Sequence, residues 1–126
     1  MVERFQPKDL GVINEWAQAQ GVGGDIAGPH LPAVGAIVPG VACGFLYQTD
    51  SAISFIDNLL ANPNAKLREM SKAVDVIVEY LTSYATSVGC QDIVVITRRR
   101  SVARRAVKLG FHHVGQRTML TKVVGG

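Results

Sequence analysis

The chain has 126 residues and a mass of 13.5 kDa, which is the size of one domain, so we treat residues 1–126 as a single folding unit. Apolar residues make up 48% of the sequence and charged residues 18%, which excludes an intrinsically disordered chain. No apolar run has the length of a membrane span, and the first residues lack the pattern of a secretion signal. Two cysteines and three scattered histidines give neither a disulfide framework nor a metal site, so we expect a cytoplasmic protein with reduced thiols.

The charges are distributed unevenly along the chain. Residues 1–92 hold all ten acidic residues and five of the thirteen basic ones, whereas residues 93–126 hold eight basic residues and no acidic one. The C-terminal third therefore predicts a partner that carries phosphate or another anion.

Taken in chain order, the pattern predicts a mixture of strands and helices. It begins with a short alternating strand at 2–5, a helix from about Leu10 to Gln20 with Asp9 as its cap, and a glycine-rich loop at 21–28. Strands are predicted at 33–38, 41–48 and 52–61, joined by turns at 39–40 and 49–51. These three strands predict an antiparallel meander.

The second half of the chain alternates helices and strands. The longest apolar stripe at helical spacing covers residues 70–88, and Gly89 suits its C-terminal end. Residues 92–97 form an apolar run between chain-breaking residues, which predicts a buried strand. A short helix at 101–109, closed by Gly110, and a final strand or hairpin at 111–124 complete the chain.

This order of elements predicts an α/β fold. The strand–helix–strand unit at 52–97 requires a crossover helix and a parallel pair of strands. We therefore expect a mixed, mostly antiparallel central sheet with helices on both faces.

The junction between the strand at 52–61 and the long helix is a candidate anion site. The backbone N–H groups of a helix's first turn have no helical partner, and the helix dipole favours negative charge there. Arg68 and Lys72 add positive charge, and the small residues Ser71 and Ala73 allow close approach to the backbone. The alternative is an ordinary junction that binds only water.

Two motifs resemble a known family. The junction reads Arg68-Glu69-Met70-Ser71-Lys72-Ala73, and the short helix closes with Leu109-Gly110-Phe111. In this order the motifs resemble the GNAT family, the Gcn5-related N-acetyltransferases, whose signature is Gln/Arg-x-x-Gly-x-Gly/Ala. Ser71 stands where the family usually has glycine. The resemblance covers residues 33–124 well and implies a GNAT-like fold.

The resemblance also implies a cofactor, acetyl-CoA or another acyl-CoA. In the family, signature amides hold the pyrophosphate, which implies roughly Met70, Ser71, Lys72 and Ala73 here. The pantetheine arm pairs with the fourth strand where that strand separates from the fifth, which implies about Leu59, Leu60 and Ala61. The basic residue Arg99 is a candidate for the 3′-phosphate.

The implied chemistry is direct acyl transfer to an amine, and Asp57 is the candidate base. It is a carboxylate in an otherwise apolar strand, where burial would raise its pKa; the alternative is a solvated face or a simple polar contact with Asn58. The tyrosine that many family members use as an acid is replaced by Ala106, so another hydroxyl (Ser101, Tyr47 or Tyr84) serves, the thiolate leaves unprotonated, or catalysis is lost.

Two functions follow from these observations. The leading one is acyl-CoA-dependent N-acyltransfer to a small-molecule or protein amine. The alternative is a catalytically degenerate GNAT-fold module that binds a protein or nucleic acid through its basic residues. Short proteins of this kind often pair through edge strands, so a homodimer is also a candidate. The basic residues concerned are Arg98, Arg99, Arg100, Arg104 and Arg105.

Overall fold

A five-stranded sheet forms the centre of the molecule. The computed structural model of the protein describes residues 1–20, 31–97, 99–120, 122, 124 and 125. The strands follow one another in space as they do in sequence: β1 (Glu3–Arg4), β2 (Val34–Val38), β3 (Ala42–Gln48), β4 (Ile53–Ala61) and β5 (Asp92–Val95). The helices are α1 (Leu10–Ala19), α2 (Leu67–Ser87) and α3 (Arg100–Lys108).

The predicted meander and the predicted parallel pair are confirmed. Neighbouring strands from β1 to β4 pair antiparallel, and β4 and β5 pair parallel. The parallel pair follows from chain geometry, since α2 returns the chain across the sheet before β5 begins. The sheet is therefore mixed and mostly antiparallel, as the sequence predicts.

The helices lie on both faces of this sheet, also as predicted. On the α2 face, Leu46 and Ile56 of the sheet pack with Ile77 and Leu81 of α2. On the α1 face, Phe45 packs with Ile13 and Trp16 of α1. The apolar faces of α1 and α2 are therefore each buried against one face of the sheet. Among the described residues, no helix is long and apolar enough to cross a membrane.

The long helix begins three residues earlier than predicted. Leu67, its first residue, is 77% exposed, so it adds nothing to the apolar stripe that marked the helix in the sequence. The helix ends at Ser87, and Gly89 follows with φ +89°, a conformation that glycine adopts without steric cost. The stripe itself is confirmed: Ala73, Ile77, Leu81 and Ala85 are buried.

Three expectations about other elements are wrong. Asp9 occupies the predicted N-cap position before Leu10, but its side chain does not cap α1, because a 3-10 turn at Pro7–Asp9 precedes the helix and the Asp9 carboxylate accepts the Gln6 N–H at 2.9 Å instead. The strand predicted at 92–97 ends at Val95 and is only half-buried. It borders a single described strand, so only one edge of it is covered.

The predicted final strand is the third correction. The described residues between 111 and 124 form no strand, and those from His112 onward are exposed. Gly115 has φ +114°, which takes the chain out of the extended conformation. The glycine-rich loop predicted at 21–28 lies outside the described residues.

Candidate functional site

The site is a cleft that opens where β4 and β5 separate. Their pairing runs from Ile53 opposite Asp92 to Ile56 opposite Val95, and Ile96 N donates the last bond to Ile56 O at 2.9 Å. β4 continues to Ala61, whereas the chain after β5 turns into α3. The end of β4 therefore offers backbone groups to the cleft instead of to β5.

A bulge in β4 lies next to this separation. The step from Cys43 to Phe45 on β3 faces the longer step from Asp57 to Leu60 on β4, so one residue is extra. The backbone of Asn58 has φ +54°, in the left-handed region, which asparagine tolerates better than most residues. Its side chain donates to Tyr47 Oη at 2.6 Å, which fixes the bulge against β3.

Three elements line the cleft. The end of β4 forms one wall, the first two turns of α2 form another, and the start of α3 closes the third side. The lining residues are Leu59, Leu60, Ala61, Leu67, Met70, Ser71, Val74, Arg99, Ser101, Val102 and Arg105. Six residues predicted from the sequence are thus brought together: Leu59, Leu60, Ala61, Met70, Ser71 and Arg99.

Four predicted residues do not line the cleft. Arg68 and Lys72 are exposed on α2, and Ala73 is 3% exposed because it packs beneath the helix in the core on the α2 face. Asp57 lies on the α1 face: it is directly opposite Phe45, and opposed residues of an antiparallel pair share a face. The bulge separates Asp57 from Leu59, which lines the cleft.

The earlier start of α2 changes which amides are available. Met70 N already donates to Lys66 O at 3.0 Å, so the amides of residues 70–73 serve the helix and do not form the open first turn that the sequence predicted. The first-turn amides belong to Leu67, Arg68 and Glu69. An anion at this helix start would meet those three groups and also the Glu69 carboxylate, whose Oε1 accepts the Lys66 N–H at 3.4 Å.

Gln20, at the end of α1, spans the mouth of the cleft. Its Nε2 donates to Ala61 O on β4, and its Oε1 accepts from Arg99 Nη2 at 2.7 Å. One carboxamide therefore joins the last residue of β4 to the residue that precedes α3. Sequence reasoning missed Gln20, because its contacts lie 41 and 79 residues away along the chain and no local motif marks them.

An ion pair joins α3 to α2 beside the cleft. Arg105 Nε and Nη2 contact Asp75 Oδ1 and Oδ2 at 2.9 Å and 2.5 Å, a fork-shaped pairing. The hydrogen bond that Arg105 donates to Asp75 raises the pKa of Arg105. The sequence placed Arg105 in a free basic cluster, but a carboxylate already neutralises its charge.

Of the candidate acids, Tyr47 lies near the candidate base Asp57, whose charge acts on its hydroxyl. Asp57 is half-buried, and its Oδ1 accepts the Asn58 N–H at 2.7 Å. Of the three hydroxyls considered as acids, Ser101 lines the cleft and Tyr47 accepts from Asn58, whereas the Tyr84 ring lies 5.7 Å from Arg4 on β1.

The structure also shows the surroundings of Tyr47, one of these candidate acids, and of Ala106, which stands where the family has its tyrosine. Burial raises the pKa of Tyr47, and the nearby Asp57 charge acts in the same direction, while the hydrogen bond with Asn58 opposes both. Tyr47 therefore remains a protonated hydroxyl at neutral pH. Ala106, at the family's tyrosine position, is 7% exposed and packs in the interior. A tyrosine does not fit that buried position without repacking.

Sequence comparisons find no relative: no family model matches the chain, and neither does any curated protein. Solved structures do match. An acetyltransferase from Trypanosoma brucei is 14% identical, with a TM-score of 0.68 over 97% of this chain and 99% of that one.

Two further structures were determined with CoA. Rv2747 from Mycobacterium tuberculosis is 18% identical, with a TM-score of 0.63 over 85% of this chain and 70% of its own. An aminoglycoside N-acetyltransferase is 15% identical, with a TM-score of 0.61 over 98% of this chain and 100% of that one. These likenesses show the fold: the chain folds as GNAT acetyltransferases do, which confirms the fold that the motifs implied.

Proposed function

We propose that the protein is an acyl-CoA-dependent N-acyltransferase that uses acetyl-CoA or another acyl-CoA and transfers the acyl group directly to an amine. The observation that carries the proposal is the open edge of β4. Ala61 O points into the cleft and already accepts an amide N–H, that of Gln20. This edge therefore fits a ligand that carries amides, as the pantetheine arm does.

The neighbouring residues fit the remainder of such a ligand. Leu59, Leu60 and Val74 give the cleft apolar walls, which suit the aliphatic part of the arm. The first-turn amides of α2 and the guanidinium of Arg99 supply the groups that a pyrophosphate or a 3′-phosphate requires. Two proteins of the same fold were determined with CoA bound, which supports a ligand of the CoA type.

Bound acyl-CoA would supply a thioester, at whose carbonyl carbon the C–N bond forms as the C–S bond breaks. The carboxylate of Asp57 would accept the proton that the amine loses, directly or through water. With alanine at position 106, Ser101 is the candidate acid whose hydroxyl lines the cleft and could donate a proton to the thiolate. Without a donor, a thiolate with a pKa of about 8.5 still leaves near neutral pH.

The alternative function is a non-catalytic module that binds a polyanion, and the described residues give it less support. Arg105 pairs with Asp75, and Arg99 contacts Gln20, so two of the five arginines predicted for this role are already engaged. Arg98 lies outside the described residues. Arg100 and Arg104 remain exposed on α3. The cytoplasmic location and the homodimer stay predictions.

The first prediction tests the cleft directly. Ser71 lines the cleft from α2, so a tryptophan at this position would fill the space proposed for the pantetheine arm. We expect Ser71→Trp to weaken CoA binding by about tenfold or more in a calorimetric titration. Ser83→Trp, at an exposed position of the same helix, is the control and should bind as the unaltered protein does.

The titration of the unaltered protein decides the proposal. Heat that saturates with one CoA per chain supports it. No heat at millimolar CoA would refute it. Equal binding by the two tryptophan variants would place the ligand elsewhere.

A further inference from the structure

The side chain of Gln20 occupies a position that the proposed function assigns to the ligand. It is half-buried at the end of α1, and both polar atoms of its carboxamide are engaged, Nε2 with Ala61 O and Oε1 with Arg99 Nη2. Neither bond belongs to the secondary structure of the sheet or the helices. Both connect groups that line the cleft.

The direction of the Ala61 carbonyl shows that Gln20 occupies the edge of β4 with which a ligand would pair. Asn62 N donates to Val41 O at 2.8 Å, so the backbone of Asn62 faces β3. Backbone groups of successive residues in a strand point to opposite sides, and the N–H and C=O of Ala61 therefore point away from β3 into the cleft. A strand-like ligand that pairs with β4 would need this carbonyl, and Gln20 already uses it.

We propose that the Gln20 carboxamide is an internal occupant of the amide-binding edge of β4, which an incoming pantetheine arm displaces. This inference rests on the proposed function. The exchange replaces the Gln20 amide donor with an amide donor of the ligand, so Ala61 O keeps one hydrogen bond throughout. It also breaks the contact between Gln20 and Arg99, which frees the guanidinium for a phosphate.

Two consequences follow from this exchange. The apparent affinity for the ligand is lower than the intrinsic affinity, because part of the binding energy is used to move Gln20. Binding at the cleft also breaks the two hydrogen bonds that join Gln20, at the C-terminal end of α1, to Ala61 and Arg99. The effect of binding therefore reaches the α1 face, where Asp57 lies.

Binding measurements on variants test the displacement. Gln20→Ala removes the occupant, and Gln48→Ala, an exposed glutamine at the end of β3, is the matched control. We expect Gln20→Ala to bind pantetheine and CoA about three- to tenfold more tightly than the unaltered protein, since one or two modest hydrogen bonds no longer compete. The control should be unchanged.

A second measurement uses the unaltered protein and does not depend on the folding of a variant. The side-chain amide protons of Gln20 give their own NMR signals. At saturation with pantetheine they should move toward the positions of a solvent-exposed glutamine and exchange faster with water. Signals that stay in place at saturation would overturn the displacement.

The outcomes distinguish the two proposals. If the unaltered protein binds neither CoA nor pantetheine at millimolar concentration, the proposed function fails, and the displacement fails with it. If it binds both but Gln20→Ala binds equally or more weakly, only the displacement is overturned, and weaker binding would make Gln20 a contact of the ligand.

Discussion

Asn58 is the residue around which the site is organised. Its left-handed backbone makes the bulge in β4, its amide side chain contacts Tyr47, and its N–H holds the Asp57 carboxylate. Asp57, before the bulge, faces the α1 side opposite Phe45, while Leu59, after the bulge, lines the cleft. One strained residue places the candidate base and the ligand-binding edge side by side on one strand.

The role of Asp57 can be tested without disturbing the cleft. Asp57→Asn keeps the shape of the side chain and removes its ability to accept a proton. We expect turnover with an accepted amine to fall about a hundredfold or more, with CoA affinity within about twofold of the unaltered protein. Asp50→Asn, in an exposed turn, is the control. Unchanged turnover would exclude Asp57 as the base.

The buried thiol of Cys43 makes the free energy of unfolding depend on pH in the alkaline range. Burial raises the pKa of its thiol from 9.0 to about 12, against the opposing hydrogen bond with Leu60 and with a small contribution from the Asp9 charge. Above pH 9 the unfolded chain loses this proton while the folded chain keeps it. The stabilisation is therefore complete below pH 9 and is lost as the pH rises toward 12.

Urea unfolding at several pH values measures this dependence. Between pH 9 and 11 the free energy of unfolding should fall, with a contribution from Cys43 of up to about 1.4 kcal/mol per pH unit. Cys43→Ala should show a shallower slope, whatever its absolute stability. Identical slopes for the two proteins would mean that the thiol is not buried as the structure has it.

At the scale of elements, the cleft exists because α2 lies close against β3 while β5 diverges from β4. Gly44 on β3 permits this approach. A Cβ atom there would lie 2.6 Å from Leu59 Cδ2 and 3.0 Å from Ile77 Cγ2. The same missing side chain therefore lets α2 pack and leaves room for Leu59 at the cleft wall.

Gly44→Ala should affect both stability and binding. We expect a loss of about 1–3 kcal/mol in the free energy of unfolding, as Leu59 and Ile77 are forced apart, and weaker CoA binding as Leu59 moves. Gly11→Ala in α1 is the control, because nothing lies within 4 Å of its added Cβ and alanine favours a helix. A Gly44 variant as stable as the unaltered protein would contradict the close packing.

The elements that could be predicted from sequence are those with local signals. The strands of the meander and the apolar stripe of α2 repeat at the periods of strands and helices, and Gly89 marks a helix end. The start of α2 had no such signal, because Leu67 faces solvent. The apolar run at β5 looked buried, but its burial depends on neighbouring strands, which a local pattern does not show.

The site was predictable in part for the same reason. The motif at 68–73 marked the strand-to-helix junction at which the structure has a cleft, since strand-to-helix order is local. It could not show that the helix begins at Leu67 or that Arg105 pairs with Asp75 across 30 residues. Contacts of that range, including those of Gln20, arise only when the elements pack together.

At the scale of the whole molecule, four arginines of the C-terminal third divide between two surfaces. Arg99 and Arg105 line the cleft, whereas Arg100 and Arg104, four residues apart on α3, are exposed. The cleft arginines belong to the proposed acyl-CoA site. The exposed arginines are available to any polyanion and are not needed by the cleft.

Substitutions on the two surfaces should therefore have different effects. Arg99→Ala should weaken CoA binding about threefold or more, because a charge-assisted contact is lost. The double substitution of Arg100 and Arg104 by alanine should leave CoA binding unchanged while reducing any salt-dependent retention on DNA or heparin. If the double variant loses CoA binding and Arg99→Ala does not, the assignment of the two surfaces is wrong.

A crystal structure of the protein with CoA bound would test the cleft most directly. We predict that the pantetheine arm lies along the end of β4, with an amide of the arm on Ala61 O and the pyrophosphate at the first turn of α2. Density for the arm outside the space between β4 and β5, or that space empty while CoA is bound elsewhere, would contradict the account.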